Sequence, residues 1–374
     1  MGLLLAVVLV GPLAGCSTSA TAGNSDVAEW QTVGLGLEGR NSYAPTLAWT
    51  GDLLFVLDTQ TPNGDVYAAL YDPSSQELQQ LELDGLEWRG RYEAAWTGES
   101  ITIWGGLESP LVGELAPEDL TWRTSPVTST PSSPAVWTGS HLVSWSGGGL
   151  VALDTATGSV AALPSSPLGL RRDPIVVWTG EEIVVWGGCS GPQCDDVFTG
   201  TDELTDGAVF VWDTQEWHMM AEAPLGPRDG PEGVWTGAEV IIWGGDYGGD
   251  GVQPGGAGYT PTTNRWRTLS EAPLEPRRGH TVTAWDSRVL VWGGSGEIVP
   301  VNIEEGVYDV EYFGDGAVYS SEADSWTYIP SGPLEARDRH RAIQIGQGIM
   351  ITGGCCPAGA SGILTEIFDP ANRS

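Results

Sequence analysis

Hydrophobic runs of four to six residues recur along this chain, and most end in the same way. IWGG (103–106), WSGG (145–148), VWGG (185–188), IWGG (242–245), VWGG (291–294) and ITGG (351–354) align, with a degenerate first copy at Leu57-Asp58. The aligned positions are 57, 104, 145, 186, 243, 292 and 352, spaced by 47, 41, 41, 57, 49 and 60 residues. Before most of them stands AWTG, VWTG or AWDS, carrying Trp49, Trp96, Trp137, Trp178, Trp235 and Trp285. Short apolar runs bounded by glycine read as strands, not helices. Each unit therefore predicts a strand, a two-residue Thr-Gly hairpin turn, a second strand and a loop, with Gly supplying positive φ. Past the loop come aromatic pairs with six residues between them, Phe210 and Trp217, Tyr259 and Trp266, Tyr319 and Trp326. These predict the starts of a third and a fourth strand, the fourth closing with Pro-Leu-x-x-Arg.

A double glycine followed by such an aromatic pair resembles the kelch repeat, over about residues 28–370, most strongly in the fourth to sixth copies. Sixteen of the 18 Trp fall on the three recurrent positions, leaving Trp88 and Trp212. Four antiparallel strands per ~50-residue repeat make one propeller blade. The last copy ends at EIFDPANRS, after its third strand, whereas EWQTVGLGLEGR (29–40) has the form of a fourth, with Trp30 standing where Trp326 does. The predicted fold is all-β: a seven-bladed β-propeller of four-stranded antiparallel blades, closed by an N-terminal strand that covers an exposed sheet edge.

The first residues follow another pattern. Residues 2–15 are apolar and end in Leu13-Ala14-Gly15-Cys16, a run too short for the ~20 residues that span a bilayer. It resembles a bacterial lipoprotein signal peptide, cut before Cys16, whose thiol receives the lipid. The organisation expected is a signal peptide at 1–15, a lipidated Cys and flexible tether at 16–27, and a single propeller at 28–374, exported and anchored on the outer side of the cell membrane.

Composition narrows the function. Sixteen basic residues, all Arg, face 49 acidic ones, a formal net charge of −33. Such a chain repels nucleic acid. The 53 Gly and 25 Pro argue against a helical protein, and 41% hydrophobic content against disorder. Fifteen residues before the aligned positions stand Arg89, Arg171, Arg228, Arg277 and Arg337, with Ser42 and Thr130 in the other two copies. Five guanidinium groups at the channel mouth would suit an acidic ligand; the alternative is that each ties its loop to the neighbouring blade, as recurrent ion pairs do. His280 and His340 lie three residues after their Arg. They are candidates for ligand contact, but a His pair without a third ligand is a weak metal signal.

After Cys16 four Cys remain. Cys189 and Cys194 bracket SGPQ and could close a disulfide, and Cys355-Cys356 could form a vicinal one. Asp195, Asp196, Asp202, Glu203, Asp206, Asp246 and Asp250 make acidic loops. Calcium is the one cofactor considered for them; without its loop spacing, solvated surface is the preferred reading. Galactose oxidase and the sialate mutarotases use related rings, but neither resemblance extends to matched catalytic residues. The expectation is a monomeric, non-catalytic binding module for a protein or carbohydrate, acting through the face that carries insertions 189–207, 246–256 and 295–315, with no cofactor. A carbohydrate-active enzyme with an Arg-lined mouth is the alternative.

Overall fold

A computed structural model describes residues 29–35, 44–59, 64–88, 90–191, 194, 202–247, 251–285, 288–302, 307–332, 334–355 and 365–369. The signal peptide, Cys16, the tether, Arg89 and Cys356 lie outside them. Among the described residues there is no α-helix. The strands form seven four-stranded antiparallel sheets, the blades. The first four hold β2–β5 (46–49, 54–58, 67–72, 77–81), β6–β9 (92–96, 101–105, 111–116, 121–126), β10–β13 (136–137, 141–146, 149–154, 159–162) and β14–β17 (175–178, 182–186, 207–211, 216–219). In the fifth, the hairpin β20–β21 (246–247, 251–252) interrupts β18, β19 (232–235, 240–243) and β22, β23 (256–260, 265–268). In the sixth, the hairpin β26–β27 (295–302, 307–312) interrupts β24, β25 (281–285, 288–292) and β28, β29 (316–320, 325–329).

The last blade is assembled from both ends of the chain. β30 (338–345), β31 (348–355) and β32 (365–369) come from the C-terminal end, and β1 (29–33) adds the outermost strand, Glu29 opposite Asp369 and Val33 opposite Thr365. β2 touches β6, the first strands touch in turn from β10 through β14, β18 and β24 to β30, and β30 touches β2, which closes the ring.

Tryptophan explains why neighbouring blades stay together. The second-strand Trp104, Trp145, Trp186, Trp243 and Trp292 are completely buried. From the third blade on, each meets the fourth-strand Trp of the next blade: Trp145 with Trp217 at 6.5 Å, Trp186 with Trp266 at 6.1 Å and Trp243 with Trp326 at 6.2 Å. Trp292 meets Trp30 at 6.0 Å, so the N-terminal strand supplies the missing partner. The same outer Trp Nε1–H groups donate backwards to the preceding blade, Trp217 to Pro164 O, Trp266 to Ala221 O and Trp326 to Ser270 O, all at 2.9 Å. An indole thus buries apolar area and satisfies its polar edge at one seam.

Two local expectations are refined. The aromatic pairs do not start the third strand; Phe210, Tyr259 and Tyr319 sit near its end and lie directly opposite Trp217, Trp266 and Trp326. Residues placed across an antiparallel ladder from each other meet face to face, here at 5.1, 4.9 and 4.8 Å. In the Thr-Gly turns the glycine is the first central residue, with φ of 91–105° from Gly51 to Gly237. The Thr hydroxyl accepts the N–H three residues on, as from Leu53 to Thr50 at 2.9 Å.

Candidate functional site

The second-to-third and fourth-to-first connections share one face, and that face carries the long insertions. Five of the exposed large apolar side chains project from it: Leu170 at 73% exposure, Val301 at 66%, Leu107 at 65%, Val299 at 51% and Trp88 at 40%. Val299 and Val301 lie on the inserted hairpin of the sixth blade. Between the third and fourth blades the face is indented by a cleft of about 540 Å³, lined among others by Arg91, Ser132, Leu170, Asp173 and Cys189. Cys189 and Cys194 are joined by a disulfide with Cα atoms 5.7 Å apart, as their spacing suggested. Cys355 ends β31.

The recurrent arginines lie beneath this face. Arg171, Arg228, Arg277 and Arg337 are buried to 4% exposure or less. All four repeat one pattern. Nε donates to a carbonyl two residues back, and Nη1 donates to the first glycine of the double-Gly sixteen residues on: Gly187 at 3.1 Å, and Gly244, Gly293 and Gly353 each at 3.0 Å. Arg171 also pairs with Asp206 at 3.0 Å and Arg277 with Asp315 at 2.9 Å. Each guanidinium therefore braces its own blade, not the neighbouring one. The link between blades runs through the same residue's backbone: Arg277 O accepts from Gly245 N at 3.1 Å and Arg337 O from Gly294 N at 2.8 Å.

His280 and His340 are buried as well. The His280 ring stands edge-on to Trp243 at 5.0 Å and its Nε2–H donates to Trp243 O at 3.2 Å. His340 stands edge-on to Trp292 in the same way at 4.8 Å, with Nε2 2.9 Å from Thr281 Oγ1. Burial pushes the His280 pKa down to about 3 and that of His340 well below the usual imidazole value, and neighbouring arginines add to both shifts. Both rings are therefore neutral wedges under the preceding blade's double glycine. A Cβ at Gly244 would fall 2.4 Å from His280 Cε1, and one at Gly293 2.6 Å from His340 Cε1. The structure does not bring the two histidines into a metal-ligand group with any Asp, Glu or Cys among the described residues.

Acidic groups rim the mouth. Asp229 is pushed up to about 6, first by burial and then by the charges of Asp246 and Asp173. Asp246 is in turn held by Arg278 at 2.5 Å. Asp338 is raised by burial and accepts from Ser295 at 3.1 Å.

One set of residues escaped the sequence reading. Glu93, Glu232 and Arg341 occupy the same register on three first strands, opposite Trp104, Trp243 and Thr352. Burial raises both glutamates, and the charge of Arg341 opposes the rise in each. Their blades, the second, fifth and seventh, are not adjacent, so the axial lumen is the space through which these charges act. The available signal was spacing: each stands eleven residues before an aligned repeat position, where Thr46, Pro134, Ile175 and Thr281 occupy the other copies.

No family model matches the chain, and no curated protein matches it in sequence. In fold it is similar to the solved structure of YjhT, with a TM-score of 0.56 and 13% identity over 88% of this chain and 94% of that one. That likeness, together with the sheets described above, makes this chain an all-β propeller of four-stranded antiparallel blades.

Proposed function

We propose that this protein is an exported, lipid-anchored, kelch-type propeller that binds a macromolecular partner through its loop face and performs no catalysis there. The observation that carries the reading is the apolar group Leu107, Leu170, Val299 and Val301, left exposed on loops and a hairpin of one face. In a chain of net charge −33, large aliphatics exposed on one face at the second blade, the third-to-fourth connection and the sixth blade offer apolar contact to a partner broad enough to span them. The recurrent arginines support the non-catalytic side of the reading, since carbonyls and carboxylates of their own blades already occupy them. The LAGC motif ending at Cys16 supports export and anchoring.

Site-specific photo-crosslinking on the full-length protein in its native envelope tests the reading. A crosslinker at position 170 or 299 should give a discrete adduct, and one at position 78 or 328, on outer strands, should give none. Equal labelling at all four positions, or labelling at 78 and 328 alone, refutes it. Glycan binding by the purified protein that L170E leaves intact would argue for a carbohydrate site away from these side chains.

A further inference from the structure

The axial lumen holds a second, independent feature. Glu93, Glu232 and Arg341 are all only partly exposed and sit at one level of the channel. Arg341 is electrostatically coupled to both glutamates. Among the described residues it nevertheless forms no ion pair within 4.0 Å with either. Arg91 also acts on Glu93, while Glu232 has Arg341 as its one charged influence. The other positions at this level, Thr46, Pro134, Ile175 and Thr281, carry no charge. Two negative groups and one positive group therefore share one level of the innermost strands, with no ion pair among them in the described structure. Partly desolvated charges of both signs that stop short of pairing leave strong electrostatic complementarity unused.

We propose that the lumen is a binding site for a small zwitterion, whose carboxylate pairs with Arg341 and whose ammonium lies between Glu93 and Glu232. Charge complementarity selects this class. A simple cation would be repelled by the guanidinium, a simple anion by the two glutamates, and a neutral polyol would leave all three charges without counterions. A free α-amino acid carries both groups on one α-carbon and answers both signs at once. The net charge of −1 on these three groups further favours an amino acid with one extra positive charge.

Calorimetric titration of the full-length protein in detergent, with L-lysine, L-alanine, methylamine and acetate as probes, tests the site. Saturable binding is expected for both amino acids, tighter for lysine, and at least tenfold weaker for methylamine and acetate. Glu232→Gln and Arg341→Gln should each weaken lysine at least tenfold while their ligand-free melting temperatures stay near wild type. Glu93→Gln provides a third variant should either of these fail to fold. The proposal is overturned if neither amino acid binds, if methylamine binds as tightly as lysine, or if folded Glu232→Gln retains wild-type affinity. None of these outcomes depends on the loop face.

Discussion

Arg277 permits a sharp test of what the recurrent arginines do. Its side chain is fully buried, with Nε donating to Glu275 O at 3.0 Å and Nη1 to Gly293 O at 3.0 Å and Asp315 Oδ1 at 2.9 Å. Its guanidinium carbon also sits 4.2 Å from the centre of the Phe313 ring. Arg277→Ala removes the donor from three acceptors and leaves Asp315 without its partner. Each lost bond to a charged group is worth about 1.5–3 kcal/mol. The relief of burying a cation offsets part of this, so the expected loss is about 3–5 kcal/mol. At ~2 cal/mol/K per residue over 374 residues, that lowers Tm by about 4–6 °C. Differential scanning calorimetry of Arg277→Ala beside Arg123→Ala, an exposed outer-strand arginine expected to change stability by about 0.5 kcal/mol or less, makes the comparison. If the two variants melt together, the bracing argument is wrong, and Arg277 regains standing as a ligand contact.

Other outcomes follow from the same geometry. Gly293 has φ +66°, and a Cβ there would lie 2.6 Å from His340 Cε1; Gly293→Ala should cost about 2–4 kcal/mol, and His340→Ala in the same chain should recover part of it in a double-mutant cycle. His280 and His340 have folded pKa values depressed below the unfolded value of ~6.5, so the unfolded chain binds more protons below that pH. Stability should therefore fall as pH drops below ~6.5, by about 1.4 kcal/mol per pH unit for each histidine, read from urea midpoints. Asp229 has the opposite sign: its raised pKa favours the folded state in acid and is a penalty above about pH 6, so Asp229→Asn should steepen the loss between pH 6 and 4. Cys189→Ser should leave the global melting within ~2 kcal/mol of wild type, because the closed loop is short and local, while mass spectrometry of the wild type shows the two-proton difference on reduction.

The repeat was legible because it is a packing device. From the third blade on, each Trp at an aligned position faces the outer Trp of the next blade, so a strict spatial need became a strict sequence period. Even Trp30 could be placed from the repeat, and it meets Trp292 as Trp326 meets Trp243. The role of the arginines was harder to see. A guanidinium that braces carbonyls and one that greets a ligand look alike in sequence, and burial alone separates them. Likewise, His280 and His340 stood as candidate ligand contacts, whereas each histidine fills the volume that the preceding double glycine leaves open. The lumen charges were missed because they sit at the least regular of the repeat positions, shared with Thr46, Pro134 and Ile175.

The ladder between β1 and β32 has a consequence for when the molecule can fold. Glu29 pairs with Asp369, 340 positions later, so one of the first strands made must wait for the last. Bringing such distant ends together costs ~5 kcal/mol of chain entropy before any contact repays it. Until β32 is made, β1 has no strand to pair with and Trp30 is not held against Trp292. The nascent chain is thus kept from completing its ring until β32 is made, and the earlier blades stand meanwhile as an open row whose two ends have no partner.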